Sequence, residues 1–262
     1  MTEAEWLTTR SDLSWMLSLI RGDWVPPPRP PGFFAQLRYS VLNPWPDRPK
    51  FRASDRQLRL FAVACCRRIE HLLNGQCVLH GIHAAEFFAD DPIWTAERVT
   101  TREALDDAYH TRCEPVDPRR RQAVHSALEA VWYLVRWEPC PNEYGGVPPE
   151  NMVASLATQA MGKVQRWKER WELQVQCELL RDITGNPFRP VTVDPTWLTW
   201  NDASIPKIAQ SIYDSHRFED LPILADALEE AGCTNAQILT HLRGPGPHTR
   251  GCWPLDLILD RK

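Results

Sequence analysis

Glycine is scarce in this chain of 262 residues, and an excess of basic charge and long apolar runs are both missing. It contains 12 glycines against 23 prolines, and it has no glycine-rich phosphate loop, Walker pattern, nucleophile elbow or H-E-x-x-H motif. The formal net charge of −4 argues against a nucleic-acid footprint over the whole chain but leaves room for a local basic patch. Any catalytic site would therefore have to be assembled from distant segments.

No apolar run approaches the length of a membrane-spanning helix, and the acidic residues 1–5 do not resemble the start of a secretory signal. We therefore expect a cytoplasmic protein with no membrane contact. In that compartment its eight cysteines stay reduced. The adjacent Cys65 and Cys66 lie within a helical pattern, so we expect them to be buried as small apolar groups.

Tryptophan and proline are unusually frequent, with 12 tryptophans and 23 prolines. Most of the tryptophans are expected to fill gaps between helices, and the alternative is that some are exposed in a partner-binding surface. Residues 25–32 (VPPPRPPG) must be extended. They are expected to form a stiff connector, and the alternative is a docking ligand for an aromatic groove.

Apolar residues recur at helical spacing in nearly every segment, and alternating strand patterns are missing. The sequence therefore predicts an all-α fold, an irregular multi-helix bundle with two arms rich in proline and tryptophan. Residues 1–137 form the predicted N-terminal helical region, which contains a proline-rich insertion at 23–52. Residues 150–262 form the predicted C-terminal region, and the two can equally make one continuous domain.

Two capping boxes mark helix starts, one formed by Thr2 with Glu5 and the other by Ser54 with Gln57. The first helix is expected to continue to Gly22. Asp220 and Thr234 are the predicted N-caps of two later helices. After the helix that starts at residue 54, the predicted helices cover about residues 76–90, 95–112, 119–137, 150–184, 204–215, 220–231, 234–242 and 254–260.

The predicted helix at 150–184 is the longest, and it carries a heptad-like seam that favours an intramolecular bundle contact. The seam consists of Val153, Ala157, Ala160, Val164, Trp167 and Trp171. Residues 185–187 (GNP) should stop this helix. A proline- and tryptophan-rich arm follows at 186–203, in which residues 191–193 could form one short strand.

Several arginines lie mostly off the apolar face of the helix that starts at residue 54, and a solvated surface is the expected role for them. These are Arg56, Arg59, Arg67 and Arg68. A weaker alternative joins this helix to Arg243 and Arg250 in a nucleic-acid-binding surface. Since the whole chain is acidic, we expect no nucleic-acid partner.

The C-terminal region holds the most suggestive group of side chains, Cys233, His241, His248 and Cys252. Thiolates and imidazoles are the ligands that tetrahedral zinc takes, although the spacing C-x7-H-x6-H-x3-C is not that of a zinc finger. The turn at residues 244–247 (GPGP) could bring all four together in a structural corner that holds zinc. The alternative is four separate packing positions and no cofactor.

A weaker metal hypothesis concerns Cys77, His80, His83 and Glu86, which recur at every third residue. Positions three apart drift around a helix, so only neighbouring pairs share a face. His80 or His83 with Glu86 could therefore supply half of a metal site at most. More often, such residues are ordinary surface positions.

Specific strings occur toward both ends of the chain, at residues 53–69 (ASDRQLRLFAVACCRRI) and 244–253 (GPGPHTRGCW) and in the N-terminal MTEAEWL. In these strings the chain resembles an uncharacterised, paralogue-rich bacterial family. It implies association with other modules, and it carries no activity, cofactor or catalytic residue. In the family pattern, the first helix runs almost directly into the ASDR block, which makes residues 23–52 an insertion.

The leading functional hypothesis is a non-enzymatic protein-interaction or scaffold module that has a protein partner. It depends on the missing catalytic motifs, the tryptophan excess and the proline-rich segment. One alternative is an enzyme whose site is assembled from the middle of the chain, about residues 76–150. The other is a zinc-stabilised module that binds nucleic acid.

Overall fold

The computed structural model describes residues 1–22, 52–73, 76–90, 103, 118–136 and 147–261. All regular elements in these ranges are helical, so the all-α prediction is confirmed. The proline-rich run at 25–32 and the predicted helix at 95–112 lie outside the described residues. The helices are α1 (Glu3–Thr8), α2 (Leu13–Arg21), α3 (Asp55–Ile69), α4 (Gln76–Asp90), α5 (Pro118–Val135), α6 (Pro149–Val164), α7 (Lys168–Thr184), α8 (Pro195–Ser215), α9 (Leu221–Glu230), α10 (Ala236–Arg243) and α11 (Trp253–Ile258).

Both predicted capping boxes are present at the starts of α1 and α3. The prediction of one continuous first helix is wrong, because the chain leaves helical geometry at Thr9 and α2 begins only at Leu13. No apolar residue lies between Leu7 and Leu13, so nothing there can hold a helix against the core. The bend buries Trp6 completely, and Gly22 ends α2 in the left-handed conformation as predicted.

The single long helix predicted for residues 150–184 is also wrong, since it divides into α6 and α7 around an extended Gln165. Gly162 makes the reversal possible, because a Cβ added to it would lie 3.1 Å from the Cβ of Glu169. The break also splits the predicted seam. Its first three residues are buried in the core, and its last three are exposed at the α6–α7 turn: Val164, Trp167 and Trp171.

Buried apolar side chains form two clusters in the described part of the chain. The first contains residues from α1 to α7, where α3 packs against α4, α5, α6 and α7. Cys65 and Cys66 on α3 are fully buried, as predicted, and burial raises the pKa of both thiols. The second cluster contains residues from α8 to α11. The boundary between the two clusters lies near residue 190, and the predicted domain division stays a prediction.

In the second cluster, the helix starts of α8 and α10 differ from the sequence predictions. Residues 191–193 form no strand, and α8 begins inside the predicted arm, where the Asp194 carboxylate accepts a hydrogen bond from the Thr196 N–H at 2.9 Å. The cap of α10 is Asn235 rather than Thr234, because the side-chain oxygen Oδ1 of Asn235 accepts hydrogen bonds from two N–H groups of the first turn. Asp220 is the N-cap residue of α9, as predicted, although its side chain makes no capping hydrogen bond.

A layer of buried charge joins the two clusters. Arg56, on α3, donates from Nε to Asp90 Oδ1 at 2.8 Å and from Nη1 and Nη2 to Asp256 at 2.5 and 3.1 Å. Its Nη2 also donates to the hydroxyl of Tyr213 at 2.8 Å, and that hydroxyl donates to Asp90 Oδ2 at 2.7 Å. The side chain of Arg56 is only 9% exposed. The predicted solvated role is therefore wrong for this arginine.

Two more arginines of α3 are also engaged by carboxylates instead of facing solvent alone. Arg67 lies 2.8 Å from the buried Glu86, and Arg68 lies 2.9 Å from the buried Glu172. Because a buried carboxylate needs a cation or hydrogen-bond donors, these pairs hold α3 against α4 and α7. The charge pattern of α3 therefore serves packing between helices.

Candidate metal centre

Three of the four residues predicted as zinc ligands come together in the structure. His241, His248 and Cys252 lie with Asp182, and one donor atom from each lies within 4.8 Å of all the others. Asp182 and Cys252 are buried, and the two histidines are partly exposed. Cys233 does not belong to this group. The assignment of a metal stays a prediction, and the fourth side chain in the cluster is Asp182.

Cys233 follows α9, where its N–H donates to the Leu228 carbonyl oxygen at 2.9 Å. It is 1% exposed and packs among the apolar residues of the second cluster. Cys233 is therefore a packing position in the core, which is the alternative to zinc binding that the sequence analysis left open. Asp182 was missed because it lies inside a helical pattern far from the other three, and carboxylates are common in the sequence.

Secondary structure explains how the four side chains meet. Asp182 lies in the last turn of α7, which ends at Thr184 before Gly185. His241 lies in the last turn of α10, and Cys252 is the N-cap residue of α11. The loop between α10 and α11 carries His248. One helix end from the first cluster therefore meets the loop and helix ends of the second.

The glycine-proline loop brings His248 back toward α7. Gly246 adopts φ +87°, and a Cβ added to it would lie 2.8 Å from the backbone nitrogen of His248. That distance is shorter than real Cβ contacts, so only glycine fits this turn without moving the histidine. The loop also borders a cavity of about 220 Å³ beside α7, lined in part by Arg181, Asp182 and His241.

Hydrogen bonds fix the orientation of the acidic side chain and both rings. Asp182 Oδ1 lies 2.8 Å from His248 Nδ1 and 3.0 Å from His241 Nε2. The Thr249 N–H donates to Asp182 Oδ2 at 3.0 Å. His241 Nε2 also lies 3.3 Å from Cys252 Sγ, and His248 Nε2 lies 3.1 Å from the Gly244 carbonyl oxygen.

The electrostatics of the cluster favour an ionised carboxylate. Burial opposes ionisation of Asp182, but hydrogen bonds and charge from His241 and His248 outweigh it and lower the pKa of the carboxyl group. Burial also disfavours the charged form of His248, and the hydrogen bond and charge of Asp182 overcome it and raise the pKa of that ring. Burial, followed by the nearby Asp182 carboxylate, raises the pKa of the Cys252 thiol.

Each outer contact also suits a bound metal. When a histidine binds a metal through one nitrogen, its other N–H commonly donates to a backbone carbonyl or carboxylate. His248 has this arrangement, with Nε2 at the Gly244 carbonyl oxygen and Nδ1 directed into the cluster. The Thr249 N–H likewise holds Asp182 Oδ2 and leaves Oδ1 for the cluster.

The donor set fits zinc, with one sulfur, two imidazole nitrogens and one carboxylate oxygen. With metal–ligand distances of about 2.0–2.3 Å, a tetrahedral zinc site has its donor atoms about 3.3–3.6 Å apart. The hydrogen-bonded contacts in the cluster are 2.8–3.3 Å. An outward shift of a few tenths of an ångström at these contacts would therefore bring them to tetrahedral spacing. Four protein ligands would leave no open position for a substrate.

The weaker metal hypothesis, in which His80 or His83 binds a metal together with Glu86 on α4, is wrong. Glu86 binds Arg67 at 2.8 Å, and His83 Nδ1 lies 3.1 Å from the same guanidinium group. His80 is exposed, and the Cys77 side chain lies outside the described residues. An arginine therefore occupies the place where a metal would have to bind.

The proposed arginine surface is also largely paired within the chain. Arg243 lies 2.7 Å from Asp226 and 2.6 Å from Glu229, and Arg250 lies 2.8 Å from Asp90. Carboxylates that neutralise guanidinium groups in this way reduce the charge available to phosphates. The absence of a nucleic-acid partner stays a prediction.

Comparisons with models of protein families, with curated proteins and with solved structures found no match for this chain. The resemblance to a bacterial family therefore stays a prediction. Within the described residues, no helix is long and apolar enough to cross a membrane.

Proposed function

We propose that this protein is a non-enzymatic helical interaction module whose C-terminal unit is held to the N-terminal bundle by a zinc ion. The observation that carries the proposal is the convergence of Asp182, His241, His248 and Cys252 on one point. Zinc accepts sulfur, nitrogen and oxygen donors together, whereas calcium and magnesium prefer oxygen alone. The mixed donor set therefore favours zinc.

The position of the cluster indicates a structural role. Asp182 belongs to the helix α7 that closes the first apolar cluster, and the other three ligands belong to the second cluster's α10, loop and α11. A metal held by both would link two chain segments that are 59 residues apart at Asp182 and His241. Such a link stabilises the folded state because an unfolded chain has no preformed site.

An interaction role is supported by aromatic side chains on the surface. At the α6–α7 turn, Trp167 is 65% exposed, Trp171 is 45% exposed and Val164 is 37% exposed. Large aromatic residues contribute much of the binding energy in protein interfaces. This turn, defined by these three residues, is the partner surface that we propose. We call it the tryptophan corner.

Zinc titration of the metal-free, full-length protein tests the zinc proposal. We expect the unmodified protein to bind zinc in a one-to-one complex, and Cys252→Ser to lose at least about tenfold in affinity because the ligand is gone. Cys233→Ser is the matched control, since it makes the same substitution at a cysteine that lies outside the cluster. It should keep the affinity of the unmodified protein if it folds, as judged by circular dichroism.

Cobalt supplies a second measurement that does not depend on affinity alone. Cobalt bound in place of zinc should give the visible absorption of a tetrahedral site with a thiolate ligand in the unmodified protein, and not in Cys252→Ser. Equal zinc affinity in Cys252→Ser and the unmodified protein would show that the metal, if bound, lies elsewhere.

A further inference from the structure

A second, larger cavity of about 390 Å³ lies where the two apolar clusters meet. Its walls come from the start of α3, the end of α7, the segment after Gly185, and parts of α10 and α11. None of the four proposed zinc ligands lines it. Its volume falls within the range of about 300–1,000 Å³ that is usual for small-molecule sites.

Arginines outnumber carboxylates in the cavity wall, although the whole chain is acidic. Three arginines line it, and the single lining carboxylate, Asp256, is already bound by Arg56. Counting lining side chains alone, three positive charges and one negative charge give a net charge of +2. The three lining arginines are Arg52, Arg189 and Arg261.

These arginines differ in how strongly the protein engages them. Arg189 lies 2.8 Å from Glu3 and is 68% exposed, and Arg261 lies 3.5 Å from Asp90. The Nε of Arg52 donates to the carbonyl oxygen of Arg21. Within the described part of the chain, Arg52 has no carboxylate partner. Its guanidinium group is therefore the most available cation in the cavity wall.

Neutral groups at the same wall also favour an anion. Ser54, the N-cap residue of α3, and Gln57, in its first turn, line the cavity, so the positive end of this 15-residue helix lies at the wall. Gln237, in the first turn of α10, is exposed, and its side-chain amide has no hydrogen-bond partner among the described residues. The amide could donate to a ligand in the cavity.

The remaining wall is apolar and includes one flat aromatic surface. Trp253 lines the cavity together with Pro190, Val191 and Leu257. Its ring packs against Gly185, where an added Cβ would lie 3.2 Å from the ring atoms. Because a side chain on Gly185 would collide with the ring, this glycine keeps the indole in place.

We infer that this cavity binds a small organic anion, with a phosphate or carboxylate group against Arg52 and a flat apolar part against Trp253. Arginine suits both anions because its planar guanidinium group can donate two parallel hydrogen bonds. The apolar wall accounts for the second part of the ligand. This site extends beyond the proposed function and does not depend on zinc, since no proposed zinc ligand lines the cavity.

Isothermal titration of the full-length protein with phenyl phosphate, benzoate and inorganic phosphate tests this inference. Phenyl phosphate and benzoate represent the two anion sources, and at least one should bind more tightly than inorganic phosphate. Arg52→Gln should lower the affinity of that ligand by about 10-fold or more, because a charge-assisted hydrogen bond is lost. Val191→Asp, which adds a negative charge to an irregular segment of the wall, should have a similar effect.

Arg170→Gln is the matched control, because it removes an exposed arginine from the first turn of α7, about 20 Å along the helix from the cavity. It should leave binding unchanged. The inference is overturned if none of the three anions binds, or if Arg52→Gln and Val191→Asp bind like the unmodified protein. Equal affinity for inorganic phosphate and phenyl phosphate would overturn the assignment of an apolar ligand part.

Discussion

Replacement of Arg56 by methionine should destabilise the protein strongly, because the junction between its two apolar clusters depends on this side chain. The guanidinium group donates to Asp90, Asp256 and Tyr213. Methionine fills a similar length but donates nothing. Asp256 would then lose its closest cation, and Asp90 would keep the Tyr213 hydroxyl at 2.7 Å, Arg250 at 2.8 Å and the more distant Arg261.

The expected loss is about 3–5 kcal/mol in the free energy of unfolding, which is the usual cost when one partner of a buried ion pair is removed. For a chain of this size, that loss lowers the melting temperature by roughly 10 °C. Urea unfolding at pH 7, followed by circular dichroism, measures the change directly. The control is Arg170→Met, which removes an exposed arginine and should change stability by less than about 0.5 kcal/mol.

A double variant separates the stability contributed by the Arg56–Asp256 ion pair from that contributed by packing of the side chains. Since Asp256→Asn removes the carboxylate that Arg56→Met would leave unpaired, the two changes together should cost less than the sum of the single losses. Should Arg56→Met and Arg170→Met lose the same stability, the arginine would be solvated, as the sequence alone suggested. The interpretation of a buried junction would then be refuted.

Two other predictions concern the junction tyrosine and the exposed surface. Burial raises the pKa of Tyr213 to about 12, against about 10 in an unfolded chain, so its contribution to stability is present below pH 10 and is lost as the pH rises toward 12. The stability difference between the unmodified protein and Tyr213→Phe in urea should therefore shrink between pH 9 and pH 11.5, and a constant difference would contradict this explanation. A photo-crosslinking residue in place of Trp167 should capture a specific protein in cells. The same residue in place of Ile223, an apolar position of α9 that is 56% exposed, should not capture it. Equal capture at both positions would argue against the tryptophan corner as the partner surface.

Local signals in the sequence predicted most helix starts and the fold class. The capping boxes at Thr2 and Ser54 and the stop at Gly185 depend on neighbouring residues, so they can be identified without the tertiary structure. The break between α6 and α7 could not be identified in this way. No proline or glycine lies between Val164 and Lys168, and the close approach of Glu169 to Gly162 is visible only in the folded structure.

Only part of the metal cluster could be predicted, because one of its four residues comes from a distant segment of the chain. His241, His248 and Cys252 are close in the sequence, and their residue types suggested a ligand set. Asp182 comes from α7, and only the packing of the two apolar clusters places it beside them. Cys233 has the right chemistry, but it follows a helix whose apolar face directs it into the core.

The buried charges at the junction also bear on how the chain is made. Synthesis from the N-terminus produces Arg56 and Asp90 well before Tyr213 and Asp256. Until α8 and α11 emerge, the charged groups on α3 and α4 lack half of their partners and stay hydrated. A chain that stops early therefore carries an incompletely paired bundle, and cells degrade such partly folded chains preferentially. Helices α8 and α11 are thus needed to complete the pairing of the buried charges on α3 and α4.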